Sequence, residues 1–310
     1  RETRTQGSKT QYEVGYWYDA VGNRTKMNAV NVQPGTADSS TVALWHLDES
    51  AGTTDLQADA VKDASGNDHH GTPDNCEFGK DGRFHKAVGM DGSSSSEIAV
   101  PDHADLDQNL GAGDFAIDAW ILMDGASSGE RAIVAKWNEA SNTTCSYILM
   151  VNASNQVEAK VHDGTSVVTV TSANTVGANW THVAVQRSTA PSTSTSYLSL
   201  WLDGAKDAGA NAEKPCNLTI QDTNTNLKLG HDEAGRPWCG LLDDVRISND
   251  DRGNSIMTQI MREYSYNVRN QLTVSTCGAS VDTYAYDLNG NQTRVETWVD
   301  GNTVSAALYS

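Results

Sequence analysis

The strongest constraint on the fold of this chain is a repeat that has been cut open. The first copy reads Tyr16-Trp17-Tyr18-Asp19-Ala20-Val21-Gly22-Asn23-Arg24-Thr25, and a later one reads Tyr284-Ala285-Tyr286-Asp287-Leu288-Asn289-Gly290-Asn291-Gln292-Thr293. A weaker copy, Tyr264-Ser265-Tyr266-Asn267-Val268-Arg269-Asn270-Gln271, lies just before the second. Residues of a different character fill the long interval between. One architecture therefore hosts another, and function has to be sought in both.

Each copy predicts strand, tight turn, strand. Tyr-x-Tyr places both rings on one face of a strand. Asp opens the turn, and Gly-Asn supplies residues that tolerate positive φ. Beyond the last copy, Arg294 to Val299 alternates again, and Asp300-Gly301 marks a further hairpin before Asn302-Thr303-Val304. The pattern resembles the YD-repeat (RHS-repeat) family over Thr3–Met27 and Glu263–Val304. The resemblance implies β-hairpins stacked side by side into a curling sheet. Such hairpins need neighbours to bury their faces. The open borders are satisfied either within the chain or by the next copy of the molecule. For the second case Tyr16, Tyr18, Tyr284, Tyr286 and Trp298 are the assembly residues.

Between the copies, short alternating runs follow one another. Phe115 to Leu122, Val157 to Val161, Val167 to Val170, Trp180 to Gln186 and Tyr197 to Leu202 read as strands, with Asp163-Gly164 and Asp203-Gly204 as turns. Many short strands between turn signals predict a two-sheet sandwich. A short helix is expected after it, because Ile256, Met257, Ile260 and Met261 share one helical face. The predicted fold is all-β: a two-sheet antiparallel jelly-roll sandwich flanked by YD-repeat hairpins. Its divisions fall at 1–38, 39–250 and 251–310.

The ordered string Leu44-Trp45-His46-Leu47-Asp48-Glu49, Asp63-Ala64-Ser65-Gly66-Asn67, Asp114 to Trp120, Trp180 to Val185, Leu200 to Gly204 and Gly240 to Ile247 resembles the laminin-G-like, concanavalin A-like jelly-roll family. The resemblance implies a structural calcium ion (Ca2+) at Asp48, Asp63, Asn67 and Asp243. Asp63 and Asn67 can equally make turns around Gly66. For His69-His70, packing and hydrogen bonding take precedence over a zinc role. Trp45, Trp120, Trp180 and Trp201 lie in the family's strand motifs and are expected in the core.

Composition narrows the partners. The net charge of −18 and a pI near 4.6 argue against nucleic acid and anionic membranes. No apolar run is long enough to span a membrane. Five cysteines lack a Cys-x-x-Cys pair, which argues against a zinc or redox centre. Cys216–Cys239 is the expected bridge, with Cys277 left over. Glu97, Glu130, Glu139, Glu158, Glu213 and Glu233 stand isolated, with no paired-carboxylate run and no nucleophile elbow. The reading is non-enzymatic. Sugar sites usually set aromatic platforms beside polar groups. Trp137, Asn138, Tyr147, Asp232, Arg236 and Trp238 are the candidates, packing under long loops being the alternative for the two tryptophans.

These features predict an extracellular adhesive or structural subunit. Its repeat strands join neighbouring copies, and its sandwich is displayed for glycan or cell-surface contact. The alternative is a carbohydrate-binding module from a larger secreted YD-repeat protein. A chain starting at Arg1 without a leader is expected to be a processed product or a piece of such a protein.

Overall fold

A computed structural model of the chain describes residues 2–6, 9–30, 34–53, 55–124, 129–190, 192–252, 259–277, 280–299 and 302–308. The chain divides into two compact units: Arg1–Gln33 with Thr258–Ser310, and Pro34–Met257. Both are built from antiparallel strands. Among the described residues the only helical pieces are the 3-10 turns Ala104–Leu106 and Asn142–Thr144.

The first unit is an eight-stranded meander. Its order is Glu2–Gln6, Lys9–Tyr18, Arg24–Val30, Gln259–Tyr266, Leu272–Cys277, Ser280–Tyr286, Gln292–Val299, Asn302–Leu308. The strands on either side of the insertion are direct neighbours, with Gln259 opposite Val30 and Glu263 opposite Lys26. The helix expected from Ile256, Met257, Ile260 and Met261 is therefore corrected. Ile260 and Met261 face Ala29 and Asn28 in a strand ladder, and Ile256 and Met257 lie outside the described residues. Ladder bonds to a waiting strand outweigh a helical period carried by four residues.

The three repeat copies make the same turn. In each, the first turn residue's amide donates to the carbonyl four residues on: Asp19 to Asn23 at 2.9 Å, Asn267 to Gln271 at 3.0 Å, Asp287 to Asn291 at 2.9 Å. The same residue's Oδ1 accepts two further amides. The last turn position is left-handed in all three, at φ 92° for Gly22 and Gly290 and 60° for Asn270, which is why Gly or Asn stands there. The turns join sideways: Asn23 Nδ2 donates to Asn270 Oδ1 at 3.1 Å, and Arg269 donates to the Leu288 carbonyl at 3.1 Å. Tyr16, Tyr18, Tyr284, Tyr286 and Trp298 all lie in strands with a neighbour on each side; the sheet's borders are Glu2–Gln6 and Asn302–Leu308.

The second unit is a two-sheet sandwich. One sheet has seven strands, in the order Val167–Thr175, Gln156–His162, Cys145–Val151, Arg131–Trp137, Leu227–Leu229, Glu97–Val100, Thr72–Asp74. The other has nine. Its main path runs Ala205–Lys206, Thr195–Leu202, Thr181–Ala190, Phe115–Met123, Cys239–Ser248, Lys86–Asp91, Glu77–Asp81, with Thr41–Trp45 and Glu213–Pro215 joining it off that path. Alternate residues of facing strands fill the core: Ile117, Ala119, Ile121, Val183, Val185, Val245 and Ile247 from one sheet, Leu149, Val151, Val157, Ala159 and Val161 from the other. Trp45 and Trp120 are buried as expected, while Trp180 and Trp201 are half-buried. Arg131–Trp137 and Cys145–Val151 are buried along their whole length. A second small core of Ala132, Ala135, Trp137, Cys145, Ile148 and Met150 accounts for the alternate positions.

Candidate functional site

The aromatic platform expected from the sequence does not form. Trp137, Tyr147 and Trp238 are all buried. Tyr147 donates its hydroxyl to the Leu106 carbonyl at 2.6 Å. Trp137 sits in the second core, edge-on to His162 with ring centres 6.0 Å apart, and its indole N–H reaches Glu139 at 3.1 Å. Asn138 terminates its strand, its Oδ1 accepting the Ala140 amide at 3.0 Å. Packing under a loop is the alternative the structure takes.

Asp232 and Arg236 belong to that loop. Asp232 Oδ1 accepts the amides of Ala234 and Arg236 at 3.1 and 3.0 Å, which closes the turn. The Arg236 guanidinium meets Asp232 at 2.8 Å, Glu139 at 2.6 Å and Glu130 at 3.3 Å. Burial pulls the Arg236 pKa down, but these carboxylates prevail and hold it above its ordinary value. The same pairing keeps Glu139 below the usual range against its own burial.

Arg236 also lines a recess of about 560 Å³ with Asp91, Glu130, Arg131 and Cys239. A second recess, of about 660 Å³, shares Asp91 and Cys239 with the first and runs across the outer face of the nine-stranded sheet. Strand alternation makes its floor. Val88, Ile121 and Leu242 point into the core, so Gly89, Leu122 and Leu241 point out. Leu241 lies opposite Gly89 on one side and Leu122 on the other, giving a row across three strands. Gly89 has no side chain to fill the row. Gly240 is required for another reason: its φ is 135°, and a Cβ there would meet the Leu122 carbonyl oxygen at 2.2 Å. Glu77, Lys80 and Asp124 add polar groups at the rim. Arg131, in the lining of the first recess, is buried, its guanidinium 2.5 Å from Asn155 Oδ1. Of this site the sequence candidates included only Arg236. Gly89 inside an apolar strand was the available signal, since such a glycine marks close approach of another group.

The four calcium candidates are not gathered. The Asp63 carboxylate is spent on the backbone: Oδ1 accepts the amides of Leu44 and Ser65 at 2.9 and 2.8 Å, and Oδ2 accepts the His69 amide at 3.0 Å. Asn67 Nδ2 donates to the Val42 carbonyl at 2.8 Å. These are the turn roles. Asp48 accepts the Lys86 amide at 2.7 Å and Asp243 the Phe84 amide at 3.0 Å. Burial, then the fields of Asp244 and Asp48, push the Asp243 carboxyl well up. Asp244 is already bound to His46 Nδ1 at 2.6 Å. Among the described residues no three acidic donors here converge within 4.8 Å, whereas calcium takes about six to eight oxygens. The residues do not fit the ion as a set.

The expected Cys216–Cys239 bridge is also absent. Cys216 adjoins Thr195–Leu202, its amide donating to the Ser196 carbonyl at 2.7 Å, and Cys239 belongs to a strand three positions away in the sheet. At ~4.8 Å per strand the separation is far beyond the roughly 7 Å limit for bridged Cα atoms. The side chain of Cys277 lies outside the described residues.

Residues 91–255 match the family described as the concanavalin A-like lectin/glucanases superfamily. The chain belongs to that superfamily. A search of curated proteins finds no match. Among solved structures, the binding domain of Paraclostridial Mosquitocidal Protein 1 is similar at a TM-score of 0.52 and 12% identity, covering 84% of this chain and 75% of that one. Domain 4 of the extracellular arabinanase AbnA from Geobacillus stearothermophilus, solved with arabinotriose, aligns at 0.47 and 16%, covering 67% and 92%. The botulinum neurotoxin DC binding domain in complex with SialylT aligns at 0.48 and 10%, covering 86% and 73%. At these identities the likeness is one of fold.

Proposed function

We propose that the sandwich is the carbohydrate-binding domain of an extracellular protein and that its site is the double recess meeting at Asp91 and Cys239. The observation that carries the reading is the junction itself. A shallow apolar floor of Gly89, Leu241 and Leu122 runs into a wall of Asp91, Glu130 and Arg236. A sugar ring offers the same two faces, C–H groups on one side and hydroxyls around the edge. Carboxylates accept from hydroxyls and guanidinium donates to them. Membership of a superfamily that includes lectins supports the assignment. With Arg131 the wall carries two carboxylates and two guanidiniums, and that balance favours a neutral glycan. Among the described residues no helix is long and apolar enough to cross a membrane.

The role is binding rather than cleavage. Each glutamate that stands alone in the sequence is held in an ion pair: Glu97 and Glu233 with Lys228, Glu130 and Glu139 with Arg236, Glu158 with Lys160, Glu213 with Lys206. A glycosidase would need two such groups facing each other across the sugar.

Binding of the purified chain to a glycan array tests the site. Leu241→Asp and Asp91→Ala are expected to lose at least tenfold in affinity with melting temperatures little changed. Equal binding by both variants, or no glycan retained by the parent, overturns the assignment. Release of reducing ends from a bound polysaccharide would overturn the non-catalytic part.

The eight-stranded sheet supports a second element of the proposal. Its border strands Glu2–Gln6 and Asn302–Leu308 each have one neighbour in the sheet, and an open border accepts a further strand. We infer that neighbouring copies continue this sheet and that the subunit is adhesive. Sedimentation at rising concentration tests this. Assembly that disappears on deleting residues 302–310 is expected, and a particle that stays monomeric throughout refutes it.

A further inference from the structure

His69 is buried at 5% exposure, and its Nε2 has no hydrogen-bond partner among the described residues. Its main chain is fixed from two sides. The His69 amide donates to Asp63 Oδ2 at 3.0 Å, and its carbonyl accepts the Trp45 indole N–H at 2.8 Å. Its neighbour His70 is used differently, Nδ1 accepting the Asp63 amide at 3.0 Å. The dipeptide is therefore split: one imidazole serves the turn, and the other leaves its Nε2 without a hydrogen bond.

What His69 faces comes from a separate segment, the short turn that begins at His103. Asp105 Oδ2 lies 3.8 Å from His69 Nε2 and 3.3 Å from His103 Nδ1, and the two rings are 4.9 Å apart. The other oxygen of Asp105 is held by Asn109 Nδ2, so Oδ2 is the one aimed at the histidines. Among the described residues this is the one set of three His, Cys, Asp or Glu donors whose ligand atoms all fall within 4.8 Å. Donors about 2.0–2.1 Å from a tetrahedral ion are spaced ~3.4 Å apart. The observed separations bracket that spacing.

We propose that His69, His103 and Asp105 bind a zinc-class divalent cation, with a fourth position left open. Two imidazoles, which are borderline donors, with one carboxylate make a set suited to zinc and unlike the all-oxygen shell of calcium. Burial depresses the His69 pKa and so favours the neutral ring that can ligate. Asn109 orients Asp105 as an outer-shell partner does. Asp105 and Asn109 also line a recess of about 340 Å³ with Asp38, Thr41, Ser65 and Asn67. His103 Nδ1 also accepts the Asp105 amide at 3.2 Å, a long bond that the ion would replace.

The test uses untagged protein stripped with a chelator and titrated calorimetrically with zinc, and separately with cobalt followed by visible absorption. One zinc per chain and intense tetrahedral cobalt bands are expected. His103→Ala and Asp105→Asn, at an exposed and a half-buried position outside the core, should each weaken zinc binding at least tenfold. Asn109→Ala should weaken it about 10–100-fold, and His70→Ala should leave it unchanged. A parent that binds no zinc, or His103→Ala and Asp105→Asn variants that bind as the parent does, would overturn the site. So would displacement of zinc by equimolar calcium.

Discussion

Replacing Lys136 by Met probes the electrostatics of the sandwich most directly. The Lys136 ammonium is fully buried, 3.1 Å from the equally buried Asp107 carboxylate, with Asp102 and the Thr223 carbonyl as further partners. At an effective dielectric near 20 a pair at that distance is worth about 5 kcal/mol. Met keeps the stem and removes the charge, leaving Asp107 buried without its cation. The expected cost is about 3–5 kcal/mol, which for a unit of this size lowers the melting temperature by roughly 6–20 °C. Asp107 Oδ2 also accepts the Thr223 amide at 2.9 Å. Asn at 107 would keep an acceptor there while removing the charge. The double variant Lys136→Met, Asp107→Asn should thus recover about 2 kcal/mol of the loss. Urea denaturation followed by tryptophan fluorescence reads both values from the midpoint at constant slope. A Lys136→Met cost below about 1 kcal/mol, or a double variant less stable than either single one, would show that the pair does not compensate itself in this way.

Two carboxylates should give opposite pH dependences. The hydrogen bond from Arg252 holds Asp38 down at about 2, so its stabilisation is present above about pH 4 and is lost as pH falls through 2. Asp38 is half exposed, so the effect stays below about 1 kcal/mol, and Arg252→Ala should abolish it in acid unfolding curves. Burial raises Asp243, so its stabilisation is full below about pH 4 and is lost as pH rises through the folded-state value. Asp243→Asn should flatten that decline with rising pH equally in calcium and in chelator; a loss seen only in calcium would restore the family's ion to this position. Gly290→Ala places a side chain at φ 92° and should cost the hairpin sheet about 1 kcal/mol. Hydrogen exchange over Gln292–Val299 is then expected to quicken roughly fivefold, and unchanged exchange would contradict the turn geometry.

Local chemistry was the legible part of the sequence. The Tyr-x-Tyr-Asp-x-x-Gly-Asn pattern gives strand, turn and the positive-φ position, because each depends on residues within reach of one another. Alternation in Phe115–Leu122 and Tyr197–Leu202 gave strands in the same way. What could not be read were distances set by other parts of the chain. Trp137 looks like a platform until the segment around Asp232 and Arg236 closes over it. Cys216 and Cys239 look close until strand order separates them. The floor of the recess depends on Leu241 lying opposite both Gly89 and Leu122, which only the sheet register decides. His69 and His103 stand far apart in sequence, and only the crossing of two loops brings them to one carboxylate.

The first and last strands of the sandwich lie side by side, Thr41 opposite Ser248, and the hairpin sheet needs Val30 and Gln259 side by side as well. An unfolded insert would make that second pairing close a ring of about 230 residues; a folded one leaves about 20 residues between the two pairings, which lowers the entropic cost of closure by about 2 kcal/mol. The insert therefore acts as a buckle for its host. During synthesis the three leading strands can pair with one another, but Arg24–Val30 keeps one border open until Gln259–Tyr266 has been made.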